Sequence, residues 1–295
     1  MAVAPWGHPE RGAAGPHVYH RDPTPHATGA LLPTSRQPAL FLPHGGGPSF
    51  FMTGERKQRY QATEDFLRSV DSLLPERPQA ILIITAHWET EVPSFTGGER
   101  PGLIYDYYGF PPETYALTYP APGQPALAQR AAELLQAAGL PARVDADYGW
   151  DHGVFIPLKV MYPEADVPVV AMSLQASLDP VLHSRLGAAL QPLRDEGVLI
   201  VGSGMSYHNL RQFALAAPLS HDFHDWLDAA LQGNQAQRAE RLAQWHRAPG
   251  GLASHPREEH LLPLMVASGA GSDAPGRPLW RGAVGPSALG AWAFD

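Results

Sequence analysis

The chain has 295 residues, 44% of them hydrophobic, and no cysteine. That is enough to bury one large α/β core or two smaller ones, and it rules out disulfides and thiolate metal sites. A formal charge of −8 without a lysine or arginine cluster argues against nucleic acid as a partner. With no run long and apolar enough to span a bilayer and no continuous apolar signal segment, the expectation is a cytoplasmic protein without a membrane partner.

Residues 1–37 are rich in Pro, Gly, Ala and His and lack amphipathic period. They read as a flexible or loosely docked extension in which His8, His17, His20 and His26 are incidental. An orderly pattern begins at Pro38. A strand over 39–42 runs into Pro43-His44-Gly45-Gly46-Gly47-Pro48. A helix is expected over 58–74, with Tyr60, Phe66, Leu67, Val70 and Leu74 on one face. The apolar run 80–85 predicts a strand that leads to Ala86-His87-Trp88-Glu89. Residues 97–123 form a long loop rich in aromatics and prolines, of the kind that tends to be functional. A helix over 124–139, closed by Gly139, and a short strand over 141–145 follow.

After Trp150-Asp151-His152-Gly153 come a helix over 153–162, a strand from Val167 to Leu174 and a helix over 179–196. The strand 198–202 gives way to Gly204-Met205-Ser206-Tyr207-His208-Asn209. Helices are expected over 219–232, 235–246 and 257–268, the last with His260 close to its start. Leu289–Phe294 is a candidate closing edge strand. Strands alternating with helices predict a single three-layer α/β/α domain over 38–295 with a mainly parallel, mixed sheet.

Five histidines occupy positions where sites form. His44 and His87 directly follow apolar strands, and His208 lies six residues beyond one. In open α/β sheets ligands bind outside the carboxyl ends of strands. Each histidine has a plain alternative: a loop residue for His44 and His208, and a satisfied core histidine for His87. His152 follows Asp151, which could cap a helix and leave the ring exposed. On a helix, Glu258, Glu259 and His260 would point in different directions, so at most one of them would face a site. Glu89 could support His87 or lie on the surface, and Asn209 could orient a substrate or start a helix. His183, His221, His224, His246 and His255 follow no strand and read as surface residues. Any metal would be held by His and carboxylate, which suits Fe(II), Zn, Mn, Cu or Ni.

Taken in order, the segments at His44, His87, Tyr119-Pro120-Ala121-Pro122-Gly123, Asp151-His152-Gly153, His208-Asn209-Leu210-Arg211 and Glu259-His260-Leu261-Leu262-Pro263-Leu264 resemble one family. It is the DOPA 4,5-dioxygenase type of class III extradiol ring-cleaving dioxygenases, relatives of the protocatechuate 4,5-dioxygenase β subunit. The resemblance covers about residues 38–295. It implies a non-haem Fe(II) site with His44, His87 and His260 as ligands, and the same nitrogens can take zinc. It also implies that His208 acts as base toward a bound catechol and joins the metal shell when zinc is present, and that His152 is an acid of the substrate pocket. More distant members use a glutamate as third ligand, for which Glu259 stands ready. The Glu-His-Leu-Leu-Pro-Leu run favours His260. The family often shows Gly-Ser-Pro after the first ligand, where this chain has Gly-Gly-Gly-Pro. The implied partners are a small aromatic diol such as DOPA and O2, with the protein a monomer or homo-oligomer. Two rival readings remain: a zinc hydrolase, although no His-Glu-x-x-His run is present, and a non-enzymatic Memo-like protein on the same scaffold.

Overall fold

Strands in chain order are β1 (Ala39–Pro43), β2 (Ala80–Thr90), β3 (Ser94–Thr96), β4 (Arg143–Asp145), β5 (Val169–Gln175), β6 (Val198–Gly204), β7 (Arg277–Val284) and β8 (Ser287–Phe294). They form one sheet in the order β4-β3-β5-β2-β6-β1-β8-β7 in a computed structural model that describes residues 35–212 and 217–295. The four central strands, β5-β2-β6-β1, are mutually parallel, while β3 on β5, β8 on β1 and β7 on β8 are antiparallel.

The central strands read as unbroken apolar runs because both of their faces are covered. Successive residues point to opposite sides. Ala80, Leu82 and Ile84 of β2 enter one core with Phe41, Val170 and Ile200. Ile81 and Ile83 enter the other with Leu40, Leu42, Val169 and Val201. The first core is closed by α2 (Pro125–Ala137), α4 (Pro180–Leu190), α5 (Ala217–Ala230) and α8 (Leu262–Ala270). The second is closed by α1 (Gly54–Ser69), α3 (His152–Met161) and the aromatic loop through Tyr107 and Tyr119. The short helices α6 (Gln235–Leu242) and α7 (Gly251–Ser254) complete the α-helices among the described residues. The fold is thus the three-layer α/β arrangement that the alternation of elements suggests. No helix among the described residues is long and apolar enough to cross a membrane.

Several expectations need correction. β2 continues to Thr90, so His87 lies within it. The β2–β5 register advances five residues from Ile84 to Glu89 while its partner advances two, from Met172 to Leu174. The extra residues form an irregularity that re-aims side chains near the strand end. His260 is not on a helix: α8 starts at Leu262 with a proline in its first turn, as fits a residue that cannot sit in a helix interior. β8 is not an edge strand. It lies between β1 and β7, and β7 takes the edge with Arg277, Pro278 and Arg281, residues that blunt an edge.

His183, His224 and His255 are buried rather than on the surface. Each has local work to do. His183 accepts the Gln175 backbone N–H, His224 lies 3.5 Å from Asp228, and His255 sits 3.1 Å from the Ser206 carbonyl. His8, His17, His20 and His26 fall outside the described residues. Of the expected extension 1–37, only its last three residues are described: Arg36 pairs with Asp195 at 2.7 Å, and Gln37 N–H bonds the Arg194 carbonyl at 3.0 Å.

Candidate metal centre

The carboxyl ends of β1, β2 and β6 meet the start of α3 and the turn before α8. His44 directly follows β1, and its N–H donates to the Gly204 carbonyl at 3.2 Å, extending the β1–β6 ladder. The turn bearing His260 crosses β6 at van der Waals distance. A Cβ on Gly202 would come within 2.3 Å of the Pro263 carbonyl, and one on Gly204 within 2.2 Å of the His260 carbonyl. The glycines at the end of β6 therefore make room for the His260 backbone. Gly153 serves α3 in the same way, since a Cβ there would lie 2.7 Å from Thr85 Oγ1 and 2.9 Å from His87 Cδ2. Asp151 caps α3 by accepting from Gly153 N–H, as the capping alternative proposed, yet His152 is buried and faces inward.

The tri-glycine segment packs aromatic rings. Cβ atoms at Gly45, Gly46 and Gly47 would lie 2.6, 2.4 and 2.9 Å from Phe50, Tyr60 and Phe110. These aromatics line or back a cavity of about 720 Å3 into which the five histidines open. Its size falls within the usual range for small-molecule sites.

The five imidazoles are contiguous. Ring centres of His44, His87 and His260 form a near-equilateral triangle with sides of 5.0, 4.8 and 5.1 Å. His152 lies 3.9 Å from His87, and His208 stacks on His260 at 3.3 Å. A nitrogen bound at about 2.0–2.1 Å places its ring centre about 3 Å from an ion, so ligands of one ion sit about 5 Å apart. His44 Nδ1 and Nε2, His87 Nε2 and His260 Nε2 are buried without a hydrogen-bond partner. Such orphans are costly unless something satisfies them, and a cation would do so. Candidate ligand atoms cluster within 4.8 Å in two sets, His44-His87-His152 and His208-Glu259-His260. The triangle draws two members from the first set and one from the second. Its claim over either set rests on the orphaned nitrogens.

Two carboxylates hold the outer nitrogens. Asp106 Oδ1 is 2.8 Å from His152 Nδ1 and accepts the His152 backbone N–H at 2.9 Å, while Oδ2 is 3.5 Å from His87 Nδ1. Glu259 Oε1 is 3.0 Å from His260 Nδ1 and 3.5 Å from His208 Nδ1. A carboxylate on one ring nitrogen fixes the tautomer that leaves the other nitrogen's lone pair free. The expectation that only one of Glu259 and His260 faces the site is therefore overturned, because the residues form a turn and contact each other. Asp106 was missed altogether. Its one sequence signal is an acid embedded in the aromatic run Tyr105-Asp106-Tyr107-Tyr108.

Glu89 is the surface alternative, paired through both oxygens with Arg257 at 2.6 Å. Arg257 also reaches Glu259 at 3.5 Å. Asn209 neither begins a helix nor enters the cavity lining. It donates to the Ala253 carbonyl at 2.8 Å and, with His208 N–H on the Ser254 carbonyl at 2.9 Å, pins the His208 loop to α7.

The electrostatics favour neutral rings. Burial, then repulsion from neighbouring histidines, holds His44 and His260 well below the ordinary histidine range. His87 is pushed down to about 3 by burial and then by repulsion from His152, against the pull of Asp106. Burial would raise Asp106 and Glu259, but their histidine partners outweigh it and both carboxyls are lowered. The result is neutral inner rings, as ligands require, backed by ionised carboxylates.

Residues 38–288 match the family described as the catalytic LigB subunit of aromatic ring-opening dioxygenase. The chain is 41% identical over 254 residues to the dioxygenase tasH of Hapsidospora irregularis, covering 79% of this chain and 78% of that one. It is 40% identical over 243 residues to a 4,5-DOPA dioxygenase extradiol of Portulaca grandiflora, covering 80% and 86%. Against the Escherichia coli K12 protein of that name the figures are 37% over 253 residues, 84% and 90%. The crystal structure of an uncharacterized protein from Escherichia coli K12 aligns with a TM-score of 0.71 at 34% identity, covering 88% of this chain and 100% of that one. These likenesses favour ring opening over the hydrolase and non-enzymatic readings.

Proposed function

Because this chain belongs to the LigB family of aromatic ring-opening dioxygenases, and is thus an extradiol ring-cleaving enzyme of class III, we propose that His44, His87 and His260 hold its metal as Fe(II). The observation that carries this assignment is the set of orphaned inner nitrogens on those three rings. Enzymes of this family are non-haem metal enzymes, and three ligands on one side of an ion leave positions open for further ligands. When bound, the metal would supply a common site at which an aromatic diol and O2 exchange electron density.

The protein's own residues do the rest. Glu259 orients His260 by holding its outer nitrogen at 3.0 Å, and Asp106 faces the outer nitrogen of His87 at 3.5 Å. His208 stands more open to the cavity than His260, with its Nδ1 toward Glu259. It is the base that takes a proton from a diol oxygen, and it could join a zinc ion as a fourth ligand. His152, anchored by Asp106, is the acid that returns a proton as the ring opens. Tyr107 and Phe110 wall the cavity with apolar rings suited to an aromatic substrate.

A catechol such as DOPA is the substrate class that the relatives' names suggest. The apo-protein should be reconstituted anaerobically with Fe(II) and mixed with DOPA or catechol in an oxygen electrode. Stoichiometric O2 uptake with a yellow ring-opened product supports the reading. Turnover without O2, or no turnover of any diol, refutes it.

A further inference from the structure

The cavity changes character from floor to mouth. Its floor is the buried pair His44 and His260, and its rim carries Arg56 and Arg59, both exposed near the start of α1. Lys57 and Arg68 of the same helix pair with Glu64. Arg56 and Arg59 have no ion-pair partner within 4.0 Å among the described residues. Three residues apart, they share a helix face, where like charges are mildly unfavourable. Arg56 is aimed across the rim, its guanidinium 4.9 Å from the centre of the Phe110 ring. Phe110 in turn rests on Gly47 of the loop that follows His44. Glu55 also borders the rim, so two guanidiniums face one carboxylate and the local balance is positive. The whole chain, at −8, would otherwise repel an anion.

From this we infer that Arg56 and Arg59 select the ring's substituent, admitting an aromatic diol whose short side chain ends in a carboxylate. The carboxylate is taken at the rim while the diol oxygens face the histidines. Guanidinium suits this role because its planar fork of donors matches a carboxylate. The volume of the cavity leaves room for a ring together with such a side chain. The inference rests on the ring-opening reading for the orientation of the diol.

The test compares 3-(3,4-dihydroxyphenyl)propionate with its methyl ester, an uncharged analogue of nearly the same shape. With the Fe(II)-loaded enzyme, kcat/KM for the acid should exceed that for the ester at least tenfold, mainly through KM, and added salt should narrow the gap. In the Arg56→Gln, Arg59→Gln double variant the ratio should fall toward one. In Arg56→Glu, Arg59→Glu, a diol bearing an ammonium group should overtake the acid. Equal kcat/KM for acid and ester, or a ratio unchanged in the double variant, would overturn the inference. Anaerobic calorimetry of both ligands gives a reading without turnover, where equal affinities overturn the inference and tenfold tighter binding of the acid supports it. Failure of the metal-loaded enzyme to consume O2 with either diol is a separate result that counts against ring opening.

Discussion

Asp106 joins two histidines from different layers. One carboxylate oxygen takes both the backbone N–H and the ring Nδ1 of His152, and the other faces Nδ1 of His87 at 3.5 Å. A single side chain from the aromatic loop thus anchors the ring at the start of α3 and faces the one on β2. Asp106→Asn keeps the shape but weakens the hold on both rings. It should reduce metal affinity by about 10- to 100-fold, the usual effect of losing such a partner. Competition with a chelator of known affinity measures this, and unchanged affinity together with unchanged kcat would refute the role.

Glu259 makes the corresponding link between His260 and His208. If it orients rather than ligates, Glu259→Gln should retain stoichiometric metal at reduced affinity, whereas His260→Ala should lose it. Metal analysis after gel filtration separates the two cases. A Gln variant that holds no metal would make Glu259 the third ligand.

His44→Ala and His87→Ala should each abolish metal binding and O2 uptake, since each removes one corner of the triangle of rings. Full iron occupancy in either variant contradicts the assignment.

Gly45 has φ of 87° and its absent Cβ would sit 2.6 Å from Phe50, whereas Gly54 has φ of 70° with open space around it. Gly54→Ala should cost about 1 kcal/mol, the backbone strain alone. Gly45→Ala adds overpacking and should lose about 2–4 kcal/mol in all. Urea midpoints of the two variants should differ in that order. Equal losses would mean that the ring beside Gly45 gives way freely.

Burial pushes His255 down to about 3, while the unfolded chain has the ordinary value near 6.5. Between those pH values the unfolded state holds a proton that the folded state refuses. Stability is therefore flat above about pH 6.5 and falls on acidification below it, by about 1.4 kcal/mol per pH unit from this ring. Urea unfolding of the apo-protein between pH 4.5 and 8 should show the decline, and His255→Gln should make it shallower. An identical slope in the variant would show that this ring does not titrate as its burial requires.

The sequence determined the centre of the sheet and singled out His44, His87 and His208 at the ends of its apolar runs, while His152 and His260 stood out through their motifs. Strands buried on both faces leave continuous apolar runs, and the residues after them fall at one end of a parallel sheet. Both signals are local, so they can be read along the chain. The elements with weaker local patterns were missed or misplaced: the β7 edge carries polar residues and proline, and the turn at His260 looked helical until Pro263 is given its weight. Only the tertiary structure decided which acids support the histidines and which histidines are buried. Asp106 lies 46 residues from His152, and no periodicity records that a loop folds back to place its carboxylate beneath two rings. The tri-glycine run was legible as a sharp turn. Its meaning as the seat of Tyr60 and Phe110 comes from rings that other segments bring to it, because packing is settled by what arrives from elsewhere in the chain.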